Sequence, residues 1–252
     1  RDPLTRRWVI TGLDQNNSPE DHLRSPLKKV PPKDCQFCEG REQMTPPETY
    51  AVRKDSTQAN TPGWQIRVVP NRATDLHSGE LAKRSQGGLY DMQNGAGIHE
   101  TVIETPQHIS QFSQLSAAHI SDVFKTFQLR TREHKKNQLL KGTFIFRNQG
   151  KRSAGVYDHT HSHIVSLPFV PKTIQDELSG AKWHYDLKTR CLFCDMIAEE
   201  KKLNLRVLFE NDRYFSWCPF ASRFPFECWI MAKQHQHDFT HADSAGFGDL
   251  AE

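Results

Sequence analysis

Asp158-His159-Thr160-His161-Ser162-His163 sets three imidazoles at alternate positions, directly ahead of Ile164-Val165-Ser166-Leu167-Pro168-Phe169. The β-branched and apolar run predicts a buried strand, and the period of two then puts His159, His161 and His163 on one face. Packing and charge do not account for three histidines at that spacing. With an ordinary pKa of ~6.5, a middle His161 is mostly unprotonated at neutral pH and can act as a nucleophile. Its neighbours can hydrogen-bond a phosphate or hold a metal. The fold therefore has to present one polar wall from inside a sheet.

The chain is long enough for one large domain or two ordinary ones, and its 36% hydrophobic content is enough for a core. A net charge of +3, from 33 basic and 30 acidic residues, excludes a general field drawing it to nucleic acid or an anionic membrane. No apolar run reaches the ~18 residues of a membrane span, and no charged-then-apolar leader is present, so a cytoplasmic location is expected. Four of the six cysteines form two Cys-x-x-Cys pairs, Cys35/Cys38 and Cys191/Cys194, a spacing that favours zinc over disulfides.

In chain order, Trp8-Val9-Ile10 reads as a short strand followed by a polar surface arm. Trp64–Asn71 and Glu100–Thr105 read as strands joined by a long Gly-rich and polar loop over 74–97. From Ser116, apolar Ile120, Val123, Phe124 and Phe127 recur at helical spacing, so a helix should cover one sheet face. Thr143–Phe146 is the next strand. The polar loop that follows, with Asn148, Gly150 and Ser153, suits a phosphate. Thr173–Ser179 reads as a short helix and the stretch up to Cys191 as a linker. Beyond it, Arg206–Asn211 and Phe226–Met231 read as strands, Trp217–Phe220 as an aromatic turn, and a helix begins near Asp243.

The two parts repeat. Cys35-x-x-Cys38 is matched by Cys191-x-x-Cys194, Arg67–Asn71 by Arg206–Asn211, and His108 with Phe112 by His235 with Phe239. A duplication is expected, with residues 1–172 forming one half and 190–252 the start of another, incomplete one. The second counterpart of the histidine strand would lie beyond Glu252.

The chain resembles the galactose-1-phosphate uridylyltransferase family, particularly its branch acting on ADP-sugars, within the histidine-triad superfamily. The residues carrying the resemblance are Arg1-Asp2-Pro3-Leu4-Thr5 with Trp8-Val9-Ile10, Cys35-x-x-Cys38, Asn148-x-Gly150, His159-x-His161-x-His163, Pro219-Phe220 and Pro225-Phe226-Glu227. It implies an α+β fold of two tandem histidine-triad-like halves, each an antiparallel sheet with helices. It makes Cys35, Cys38, His108 and His159 the ligands of a structural zinc, and His161 the nucleophile that takes a nucleoside monophosphate. His163 is then placed to donate to a phosphate oxygen, Asn148, Gly150 and Ser153 lie beside the phosphates, and Asn71 bounds the nucleoside pocket. Cys191, Cys194 and His235 resemble a second zinc set, with His237, His241 or a more distant His as the fourth ligand. The sequence departs from the family pattern at His163, where Gln is usual. It departs again at Val156-Tyr157-Asp158, which replaces a Gly-x-Ser run, and at Asp14–Pro19, which replaces an Arg-rich segment.

The implied activity is nucleotidyl transfer from a nucleoside diphosphate sugar or nucleotide to a phosphate or sugar-phosphate acceptor, within galactose and wider carbohydrate metabolism. Two alternatives stand beside it. His163 favours a hydrolase of nucleotide conjugates or dinucleoside polyphosphates, and the altered loop favours a zinc-stabilised binding module without catalysis. The resemblance also admits a homodimer, and neither nucleic acid nor membrane is an expected partner.

Overall fold

The computed structural model describes residues 30–53, 57–72, 74–79, 83–150 and 158–252. The expected strand at Trp8–Ile10, the segment Asp14–Pro19, Ser153 and Val156-Tyr157 lie outside them. One compact unit reaches Ser116 and resumes over Thr126–Val170; the other comprises Ala117–Lys125 and Pro171–Glu252. The architecture is α+β with antiparallel sheets.

The first unit is built on a five-stranded sheet containing β1 (Tyr50–Arg53), β2 (Trp64–Pro70), β5 (Ile98–Ile103), β6 (Gly142–Phe146) and β7 (His161–Leu167), in the order β1-β2-β5-β7-β6. Every neighbouring pair is antiparallel. The histidine strand is thus enclosed on both sides, as its β-branched sequence demands. Ile103 stands opposite His161, while Thr101 and Phe146 stand opposite His163, so these side chains share a face. Within the stretch expected to be a loop, β3 (Arg84–Gly87) and β4 (Tyr90–Gln93) form a small hairpin. Its turn uses Gly88 at φ 65°, a conformation that glycine adopts without strain.

Two different layers cover the sheet. The core cluster of Cys35, Phe37, Trp64, Val69 and Ile103 seats the Cys-x-x-Cys turn on the sheet. The other layer is polar and comes from α1 (Ala117–Lys135). Arg130 donates through Nη2 and Nε to Glu100 at 2.7 and 3.0 Å, and His134 Nε2 lies 3.1 Å from the same carboxylate. Thr49 also donates to Glu100, and His134 Nδ1 reaches Ser166 Oγ at 2.8 Å.

In the second unit, the helix expected over Thr173–Ser179 runs on as α2 (Lys172–Lys188), so no linker precedes Cys191. The stretch is polar but has no proline and no β-branched run, and one glycine at Gly180 costs only about 1 kcal/mol. Lys182 and Asp186 pair across one turn. α2 stops where Thr189 turns left-handed, its N–H returning to the Tyr185 carbonyl. Cys191 then caps α3 (Leu192–Leu203). β8 (Val207–Glu210), β9 (Tyr214–Trp217) and β10 (Trp229–Ala232) make an antiparallel sheet in that order. The aromatic turn expected at Trp217 is therefore the end of a strand. The strand expected from Phe226 starts only at Trp229, because Phe226 lies at φ 66° and Glu227 folds back onto Arg223. A short α4 (Phe247–Ala251) follows Asp243, whose carboxylate accepts from the Ala245 N–H.

β9 lies between β8 and β10 as β2 lies between β1 and β5, while the Arg206–Asn211 stretch, matched in the sequence to Arg67–Asn71, forms the edge strand β8. In each unit a 3-10 turn starting at a Phe, Phe112 or Phe239, follows four residues past His108 or His235. Among the described residues no helix is long and apolar enough to cross a membrane.

Glu100 is 2% exposed yet its carboxyl is lowered to about 2, because bonds from His134 and Arg130 outweigh burial. A carboxylate depressed below its unfolded value of ~4.3 adds stability above that pH, lost as pH falls toward about 2. Arg130→Met leaves that charge without its main partner and should destabilise the protein by about 3–5 kcal/mol in urea at pH 7. A loss under about 1 kcal/mol would contradict this.

Candidate active site and metal centres

His161 begins β7 and is 9% exposed. Its Nδ1–H donates to the backbone carbonyl of His159 at 2.7 Å, which fixes the tautomer with the lone pair on Nε2. Burial lowers its pKa, the carbonyl bond opposes this, and the Arg147 charge adds to the lowering. The ring is neutral at pH 7 and can serve as a base or nucleophile. Phe37 lies against it at 5.1 Å between centroids.

The strand is held from its opposite face by Glu104, which is fully buried. Glu104 accepts from the hydroxyls of Thr160 and Ser162, the residues alternating with the histidines, and from Arg147 at 2.8 Å. Arg147 also donates to Thr160, and its guanidinium lies 4.5 Å over the Phe112 ring.

Cys35, Cys38, His108 and His159 converge, their donor atoms all within 4.8 Å of one another. Cys38 Sγ is 3.3 Å from His108 Nδ1 and 3.6 Å from His159 Nδ1, and Cys35 Sγ is also 3.6 Å from His159 Nδ1. The Nε2–H of His159 donates to the Thr105 carbonyl at 2.8 Å, so Nδ1 turns its lone pair toward the thiols. Burial lowers His159 to about 4, and burial followed by the neighbouring Cys35 pushes the Cys38 thiol up to about 11. A thiol raised in this way ionises readily beside a cation, and the four converging donors could hold a metal.

His163 follows on the same face. Its Nδ1 lies 3.0 Å from His99 Nε2 and 3.4 Å from Asn71 Nδ2, and Phe146 stacks on the ring at 5.0 Å. Burial, then His161 and His99, lower His163 to about 4. Asn71, the residue expected at the nucleoside pocket, donates through Nδ2 to Thr101 Oγ1 and lies beside His163 Nδ1. Asn148 and Gly150 are exposed just past the end of β6. Sequence reasoning missed His99, Glu104 and Arg147. The alternation of His99 with Thr101 on a strand was the available signal for the first. Glu104 and Arg147 lie on the face away from the histidines and gave none.

In the second unit Cys191, Cys194 and His235 converge in the same way, with Cys194 Sγ 3.3 Å from His235 Nδ1. His237 and His241, considered as a fourth ligand, group instead with Asp238 in a separate exposed cluster.

Residues 2–171 match the family model for the galactose-1-phosphate uridyl transferase N-terminal domain. ADP-glucose phosphorylase from Arabidopsis thaliana is 32% identical over 99% of this chain and 70% of its own length. Galactose-1-phosphate uridylyltransferase from Thermotoga maritima is 24% identical over 92% of this chain and 65% of its own. The crystal structure of the Arabidopsis ADP-glucose phosphorylase with bound ADP-glucose superposes with a TM-score of 0.73 at 29% identity, covering 100% of this chain and 72% of that one. A uridylyltransferase structure gives 0.75 at 28% identity, covering 91% and 68%. The fold and the relatives are those of an enzyme of the nucleotidyltransferase class. More particularly, the chain belongs to the galactose-1-phosphate uridylyltransferase family, whose members move a nucleotidyl group between nucleotide sugars and phosphate acceptors.

The lowered His163 gives a pH signature. A histidine whose folded pKa lies below its unfolded value of ~6.5 opposes folding progressively as pH falls from there toward about 4. In chemical denaturation, His163→Gln should flatten the fall of stability across that window relative to wild type. An unchanged slope would show that His163 titrates normally.

Proposed function

We propose that His161 is the nucleophile of a two-step nucleotidyl transfer from a nucleoside diphosphate sugar. The observation that carries this reading is the 2.7 Å bond from His161 Nδ1–H to the His159 carbonyl. In the first step the Nε2 lone pair forms a bond to the α-phosphorus, the bond to the bridging oxygen breaks, and the sugar phosphate leaves with that electron pair. The positive charge arising on the ring is stabilised by the same carbonyl. His163 donates from Nε2–H to a non-bridging oxygen, with Asn148, Gly150 and Ser153 beside the phosphates. In the second step an oxygen of inorganic phosphate or a sugar phosphate attacks, and the N–P bond breaks. Water in that place gives the hydrolase outcome.

Cys35, Cys38, His108 and His159 would hold zinc. The observed sulfur–nitrogen separations of 3.3–3.6 Å fit the edge of a tetrahedron with Zn–S about 2.3 Å and Zn–N about 2.0 Å, roughly 3.5 Å. With two thiolates and two imidazoles as its ligands, a zinc ion there would serve a structural role, neutralising the thiolates and fixing the ligand directions. Cys191, Cys194 and His235 would hold a second zinc. In this reading residues 1–172 are the catalytic half and a related half begins at 190. The enzyme is cytoplasmic and serves nucleotide-sugar and galactose metabolism.

Two measurements test the reading. Incubation with ADP-glucose or UDP-glucose labelled at the α-phosphate, without acceptor, should leave an acid-labile label on His161. That label should be absent in His161→Gly and should transfer out on adding phosphate. Should metal-loaded wild type never label, the binding-module reading takes its place. Purified protein should carry zinc at the Cys35 set, and Cys35→Ser should lose one equivalent and lower the melting midpoint by roughly 10 °C. Retention of that zinc in the variant would remove the metal assignment.

A further inference from the structure

A neutral imidazole has one N–H and can carry it on either nitrogen, so a histidine serves as a phosphate donor only if something decides which. Around His163 two groups aim at Nδ1. The Asn71 Nδ2 amide, which also donates to Thr101 Oγ1 at 3.0 Å, is a donor only, and it lies 3.4 Å away. His99 Nε2 lies 3.0 Å from the same atom. With Asn71 donating there, Nδ1 accepts, and His99 Nε2 must carry its hydrogen. His99 Nδ1 is then an acceptor, which the Thr74 hydroxyl satisfies at 3.2 Å. The Asn71 backbone N–H donates to the His99 carbonyl at 2.8 Å, so the two donors are locked to each other. Phe146, stacked within 20° of the ring plane, restrains His163 from turning over.

We propose that His99, with its proton placed by Thr74, is the positioning residue that holds His163 in the Nε2–H tautomer, presenting that hydrogen to the transferring phosphoryl group. The proposal rests on the reading of His163 as the phosphate donor. It concerns a chain Thr74–His99–His163 that runs from the start of a loop across two strands to the site. His99 touches no substrate in this arrangement and acts only through His163.

The test separates donor from acceptor at position 99. Long-range proton–nitrogen spectra of protein labelled with 15N-histidine, with His163→Gln identifying the resonances, should show His163 as Nε2–H in wild type. His99→Glu, which can only accept, should convert His163 to Nδ1–H and slow His161 labelling by ADP-glucose about 100-fold, the scale of losing one preorganised donor. His99→Gln, which can still donate, should keep the Nε2–H tautomer and recover most of the rate. Thr74→Val, far less disruptive, should give a mixed tautomer and an intermediate rate if His99→Glu does not fold. A wild-type His163 in the Nδ1–H form, or equal losses in His99→Gln and His99→Glu with the tautomer unchanged, overturns the proposal. If wild type shows the Nε2–H tautomer but never labels at His161, the failure lies in the nucleophile reading instead.

Discussion

The bond on which the site depends is the one between two parts of the same strand entry, the His161 Nδ1–H and the His159 carbonyl. His159 is anchored at its other end, where the imidazole meets Cys35, Cys38 and His108 and its second nitrogen donates to Thr105. Segments more than a hundred residues apart in sequence, Cys35 and His159 among them, therefore converge on the aim of one ring. A cation bound in that cluster would stiffen the His159 carbonyl and with it the orientation of the His161 ring.

The opposite face of the same strand explains why the histidine face can be so polar. Thr160 and Ser162 are spent on Glu104, and Ser166 on His134 and through it on the Glu100 layer. Buried ion pairs of this kind add little net stability over an apolar core of equal volume, but each is costly to half-remove. Their value here is positional. Glu104 with Arg147 and Glu100 with Arg130 hold the strand at one height in the sheet.

Much of this could be read in the sequence because it rests on periodicity. The alternation at His159–His163, the helical spacing of Ile120, Val123 and Phe127, and the two Cys-x-x-Cys pairs all declare their partners through spacing. The Glu104–Arg147 pair does not, because contacts between strands distant in sequence leave no local signal. α2 was hidden for a different reason. Its exposed polar surface looks like a linker until the absence of proline over 172–188 is given its full weight. The Phe226 conformation could not be foreseen either, since an aromatic residue in the left-handed region is held there by Glu227 and its Arg223 partner rather than by its own preference.

A strand with work on both faces is sensitive to its register. Losing or gaining one residue between His159 and Leu167 would exchange the faces, carrying Ser162 to the histidine side and an imidazole toward the Glu104 carboxylate. Unless a bulge absorbs it, a single-residue insertion or deletion in β7 therefore disturbs both faces at once, whereas a substitution disturbs one.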